Sequence, residues 1–141
     1  MTMRQTLILI VIFLFHFSTV CGQTGLVETI YFKSNSYTID KKYHKTLNNI
    51  AQQLSSDTFG YLKVFGYADI SGSDEYNDIL SGKRAEAVYQ YLLSRSSFDT
   101  TRVYVTWIGK SADAYDLHFP SPHVQRRCVD VWVTFYKKPE Q

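Results

Sequence analysis

Cysteine is scarce in this chain, with only Cys21 and Cys128 among 141 residues. So sparse a set excludes a disulfide-stapled scaffold and leaves no cysteine-built metal site. Charge of one sign is lacking too, since 15 Lys and Arg stand against 13 Asp and Glu, a formal net charge of +2. The basic pairs Lys41-Lys42, Arg126-Arg127 and Lys137-Lys138 are scattered and form no stripe, which argues against a nucleic-acid partner. No apolar run reaches the roughly 20 residues that span a bilayer. The longest, residues 7–17 (LILIVIFLFHF), falls well short and contains His16. Repeats and low-complexity linkers are absent.

What is present suits one packed domain: 45% of the residues are hydrophobic and 16% aromatic. The first residues read as an export signal, with Arg4 as the positive flank, 7–17 as the apolar segment and 18–22 (STVCG) as the cleavage region. Residues 1–22 are therefore expected to be removed, leaving a domain over 23–141 with its core in about 27–136. Cleavage before Gln23 is the first expectation. The second is a lipoprotein signal with a lipid on Cys21, although Val20 fits a lipobox poorly. The one cysteine then left, Cys128, lies in a strand pattern and is expected to be buried.

Beyond Gln23, strand-like and helix-like patterns alternate, giving an α/β layer with helices packed on a sheet. Residues 27–32 (VETIYF) predict a strand, followed by the polar breaker KSNSY. Asp40 is a candidate N-cap for an amphipathic helix over about 41–55, with Tyr43, Leu47, Ile50, Ala51 and Leu54 on one face. Residues 61–67 predict a second strand. Ser71 or Ser73 caps a long helix whose inward face is expected to hold Tyr76, Ile79, Leu80, Ala87, Val88, Tyr91 and Leu92. A third strand is expected at 102–108 and a long polar loop at 109–123. In the last strand Val129, Val131, Val133 and Phe135 share one face.

Asp69 follows a strand end, and Arg84 sits about three turns into the next helix with a side chain leaning back toward the helix start. Two readings remain open for this pair. One is a salt bridge pinning the loop to the helix. The other is a pocket for a zwitterion, in which Asp69 accepts from an ammonium and Arg84 holds a carboxylate.

The segment GYADISGSDEYNDILSGKRAEAVYQYL at 66–92 resembles the signature of the OmpA C-terminal family, which includes Pal-like lipoproteins. That family reads approximately G-H-T-D-x-x-G, then Y-N-x-x-L-S, then R-A-x-x-V-x-x-Y-L. The chain matches at Gly66, Asp69, Gly72, Tyr76, Asn77, Leu80, Ser81, Arg84, Ala85, Val88, Tyr91 and Leu92. Tyr31-Phe32 is similar to the family's opening strand, and Gln125-Arg126-Arg127 to its closing N-R-R. The resemblance implies an α/β (α+β) βαβαββ domain with its helices on one face of a mixed four-stranded sheet. It also implies non-covalent binding of peptidoglycan through a diaminopimelate-type stem peptide, with no cofactor, no metal and no catalytic step. Carried over, Asp69 and Arg84 meet the amino acid end of that residue, Asn77 hydrogen-bonds the peptide, and Arg126 or Arg127 borders the site. Asn35 adds polarity after the first strand. The implied location is the periplasm or outer membrane of a Gram-negative-type bacterium, with other envelope proteins as further partners and membrane contact only through a lipid on Cys21.

Three departures stand out: Tyr67 and Ala68 replace the family's His and Thr, and Lys33 replaces a frequent Asp. They sustain an alternative in which the domain has lost wall binding and serves as an interaction module of an envelope complex. An enzyme is disfavoured, because His44, His118 and His123 are dispersed and no clustered carboxylate completes a site. A flagellar stator resembling MotB would need a membrane helix with a proton-carrying carboxylate, which 7–17 lacks. An OmpA-type porin would need a barrel ahead of the domain.

Overall fold

A computed structural model describes residues 24–68, 72–109 and 127–136. The order of elements is β1 (Thr24–Tyr31), a 3-10 turn at Lys41–Tyr43, α1 (His44–Leu54), β2 (Phe59–Gly66), α2 (Asp74–Arg95), a second 3-10 turn at Thr100–Arg102, β3 (Val103–Trp107) and β4 (Cys128–Phe135). The four strands form one sheet in the order β1-β4-β2-β3. β4 is antiparallel to both β1 and β2, whereas β2 and β3 run parallel. The expected mixed four-stranded βαβαββ sheet is therefore observed.

Alternation along the strands decides which face the helices cover. Ile30, Leu62, Val64, Val129, Val131 and Val133 are buried on one side and pack with Leu47, Ile50, Ala51 and Leu54 of α1 and with Ala85, Val88 and Leu92 of α2. Each of the larger aliphatics contributes roughly 1.5–3 kcal/mol by leaving water. The aliphatic set of β4 falls where its period-2 pattern puts it. Cys128 is buried and, among the described residues, forms no disulfide.

Local signals set the helix starts. The Lys42 amide donates to the Asp40 carboxylate at 3.1 Å. That cap opens a 3-10 turn, and the α-helix proper begins only at His44. Ser73 caps α2 by accepting from the Tyr76 amide at 3.2 Å. Its rival, Ser71, lies outside the described residues, as do the leader region and most of the 109–123 loop.

The inward face of α2 differs from the apolar face expected. Tyr76 and Ile79 are 44% and 50% exposed, while Asn77, Leu80, Ser81, Arg84, Ala85, Val88 and Leu92 are buried. The helix is turned so that its first three turns present polar side chains to the chain beneath. There it lies over strand ends and turns, whose carbonyls need donors, and not over aliphatic side chains. Gly66 lets α2 come this close: a Cβ there would run into the Ser81 carbonyl and stand 3.1 Å from the Ala85 Cβ.

Candidate functional site

Arg84 is the largest fully buried side chain among the described residues, with 0% exposure. Its guanidinium is held by the main chain. Nε donates to the Ser36 carbonyl at 2.9 Å, one terminal nitrogen to the Tyr67 carbonyl at 3.1 Å and the other to the Lys33 carbonyl at 3.2 Å. The Phe32 ring lies beneath it, 5.5 Å from ring centre to guanidinium carbon. A single side chain thus joins α2, the end of β2 and the turn after β1. Five donors in a fixed planar fork make arginine suited to that task.

The turn at 33–36 is shaped to receive it. The Ser36 amide donates to the Lys33 carbonyl at 3.2 Å. Asn35, exposed at the tip, takes a positive φ of 52°, a conformation that asparagine tolerates better than most residues. Its backbone geometry accounts for an asparagine here independently of any ligand.

At the start of α2, Asn77 is 1% exposed, which excludes a helix-surface position. Its amide group lies beside Gly72, where an added Cβ would sit 3.7 Å from Nδ2. Gly72 itself has φ 91°, a value that favours glycine. One turn on, the Ser81 hydroxyl donates to the Asp78 carbonyl at 2.9 Å and accepts from the Gly109 amide at 3.1 Å. The Ala68 amide in turn donates to the Gly109 carbonyl at 2.9 Å. The chain on either side of 69–71 is thereby tied to one corner.

Arg127 borders the same corner from β4. Its carbonyl accepts from the Phe32 amide at 2.8 Å, extending the β1 ladder past Tyr31. Standing two residues before Val129, it falls on the helix-covered side by strand alternation. The structure therefore gathers Asn77, Arg84 and Arg127 at the ends of β2 and β4, with Asn35 at the exposed tip of the turn that Arg84 holds. Asp69 and Arg126 lie outside the described residues.

A second polar group lies on the helix-free face of the sheet. Asp130 is 1% exposed, and its carboxylate accepts from the Thr29 hydroxyl at 2.7 Å. Tyr67 and Cys128 pack together beside it with Tyr31, Phe65 and Ile108. Burial, then the charges of Asp130 and Cys128, push the Tyr67 hydroxyl up from 10.0 to about 12. Burial is also the main cause raising Tyr31. The signal available was the alternation itself, which sets Cys128, Asp130 and Trp132 on one face. A face without a helix need not be a wet one.

The OmpA family model matches residues 31–127, well over half of the chain. The chain belongs to the OmpA family. This OmpA-family chain is 39% identical over 68 residues to a peptidoglycan-associated lipoprotein of Buchnera aphidicola, a match covering 48% of this chain and 39% of that protein. It is 31% identical over 88 residues to outer membrane protein 41 of Porphyromonas gingivalis, covering 62% of this chain but 22% of that one. It thus spans well under half the length of these curated relatives. Among solved structures, the peptidoglycan-associated lipoprotein of Burkholderia pseudomallei is similar at 28% identity and a TM-score of 0.60, over 77% of this chain and 89% of that one. The OmpA-like domain of FopA1 from Francisella tularensis, at 19% identity and a TM-score of 0.62 over 84% and 78% of the two chains, shares the fold.

Proposed function

We propose that this OmpA-family domain binds peptidoglycan non-covalently through the diamino acid of its stem peptide, anchoring or linking the outer membrane or periplasm to the cell wall. The observation that carries the reading is the polar corner of α2. Asn77, Ser81 and Arg84 are buried there, below the two ends of a loop that carries Asp69. Packing alone would favour apolar side chains at such positions. The resemblance to a peptidoglycan-associated lipoprotein over most of both chains supports the same reading.

In this proposal Asp69 accepts from the ligand ammonium and Asn77 hydrogen-bonds the peptide. Arg84 supplies positive charge from beneath for the carboxylate while it holds the surrounding turns. Arg127 or Arg126 borders the site from β4, and Asn35 flanks it from the turn. Binding involves no catalytic step and no metal. The domain acts after export, with residues 1–22 as the signal, in the periplasm or at the outer membrane, anchored by a lipid if Cys21 is modified.

One observation favours the alternative of an envelope interaction module: Arg84 is already engaged with three backbone carbonyls. Sedimentation of the 23–141 domain with purified cell wall separates the two. Wild type is expected to pellet with the wall, and Asp69→Ala and Asn77→Ala to stay in solution. Equal pelleting of both variants would remove the assigned site, and failure of wild type to pellet would remove the function. Release by free diaminopimelate but not by lysine tests the diamino acid.

A further inference from the structure

The outward stripe of α2 carries a groove that the stem-peptide site does not use. Its volume is about 580 Å³. Ile79, Gly82 and Ala87 form its floor, and Tyr37 and Trp107 flank it. Tyr37 and Trp107 are 49% and 46% exposed. Both are braced. A Cβ at Gly82 would stand 3.2 Å from the Trp107 ring, so the indole rests on the helix backbone. The Lys83 ammonium lies 5.4 Å from the centre of the Tyr37 ring.

Hydrogen-bonding groups recur along the same stripe. Asp78 sits at one end, and Glu86 two turns on accepts from the Gln90 amide at 2.7 Å. Among the described lining residues Lys83 is the one cation against Asp78 and Glu86, a weakly acidic set that disfavours a polyanion. Flat apolar rings interleaved with acceptors suit a neutral ligand that has apolar faces and hydroxyl edges. A saccharide has that character.

Position narrows the choice. Asp78 directly follows the buried Asn77, and Lys83 directly precedes the buried Arg84, so the groove shares the N-terminal half of α2 with the candidate site, on the outward side, and runs along the helix for about 18 Å at 1.5 Å per residue. A stem peptide is attached to a sugar, and a few extended residues reach roughly 10 Å. We infer that the Tyr37–Trp107 groove holds the glycan of the wall, next to the stem peptide whose diamino acid end lies at the Asn77–Arg84 corner. This inference rests on the wall-binding reading.

The test compares two ligands by calorimetry: the free stem peptide, and the same peptide carrying its disaccharide. Wild type is expected to bind the disaccharide-peptide about tenfold more tightly, the scale of one or two aromatic contacts. Tyr37→Ser and Trp107→Leu should each remove most of that gain and leave affinity for the free peptide unchanged, with circular dichroism reporting the fold. Equal wild-type affinity for both ligands would overturn the groove while leaving the stem-peptide reading intact. Loss of free-peptide binding in a folded Trp107→Leu variant would also overturn it. Absence of binding to either ligand would remove both readings.

Discussion

The two ends of α2 are built on different principles although they belong to one continuous helix, Asp74–Arg95. In the second half, Ala85, Val88 and Leu92 face the aliphatic side of the sheet, and shape and burial hold the contact. In the first half, the buried side chains include Asn77, Ser81 and Arg84, and hydrogen bonds from Arg84 to three carbonyls and from the Gly109 amide to Ser81 hold the contact. The apolar half is stabilised by area removed from water and tolerates approximate substitutes. The polar half depends on donors and acceptors meeting at fixed points, and a lost partner strands the other. One half fastens the helix, while the other fixes the positions of the loops around the candidate site.

The sharpest challenge to this contrast is Arg84→Met, which keeps length and apolar bulk but removes every donor. Three backbone carbonyls would lose their partners, so the expected loss is about 4 kcal/mol in urea denaturation. A loss under about 1 kcal/mol would show that the polar half is held by packing after all. Leu92→Ala probes the other half and should cost about 3 kcal/mol through lost transfer energy and a cavity. Wall sedimentation by that variant, where folded, should be unaffected. Ser81→Ala comes next, at about 1–2 kcal/mol, because the Gly109 amide loses its acceptor in a buried place. Its signature is faster hydrogen exchange at Gly109 with little change in the sheet.

A further prediction concerns pH and the helix-free face, just past the end of β2. The Tyr67 hydroxyl is pushed up to about 12 in the folded state, against 10.0 ordinarily. The folded protein therefore keeps this proton after the unfolded chain has released it. The associated stability is fully present below pH 10, and declines as pH rises toward about 12. Urea midpoints measured across that window should fall for wild type, and less steeply for Tyr67→Phe. Identical slopes would show that Tyr67 is not the group responsible.

The elements were legible in the sequence where periodicity reports burial directly. Val129, Val131 and Val133 alternate and are buried together, and Leu47, Ile50, Ala51 and Leu54 recur at helical spacing and face the core. The orientation of α2 was less legible. Its inward face mixes Leu80 and Val88 with Asn77, Ser81 and Arg84, and a reading that equates apolar with inward rotates the helix toward Tyr76 and Ile79. The carbonyls of Lys33, Ser36 and Tyr67 explain Arg84 and the Gly109 amide explains Ser81, and these groups belong to residues far away in sequence. The same limit hid Asp130, whose surroundings come from β1 and β2. Of the candidate site, Asn77, Arg84 and Arg127 lie toward the ends of β2 and β4, while the main-chain partners of Arg84 emerge only from the fold.

Those partners have an evolutionary consequence. Arg84 reads Lys33, Ser36 and Tyr67 through their carbonyls alone, and every amino acid has one. The side chains at these three positions can drift without loosening the clamp. Two of the departures from the family pattern, Lys33 and Tyr67, fall at such positions. A scaffold clamped in this way can change the charge and shape of its rim, and with them its choice of partner, while the architecture beneath stays the same.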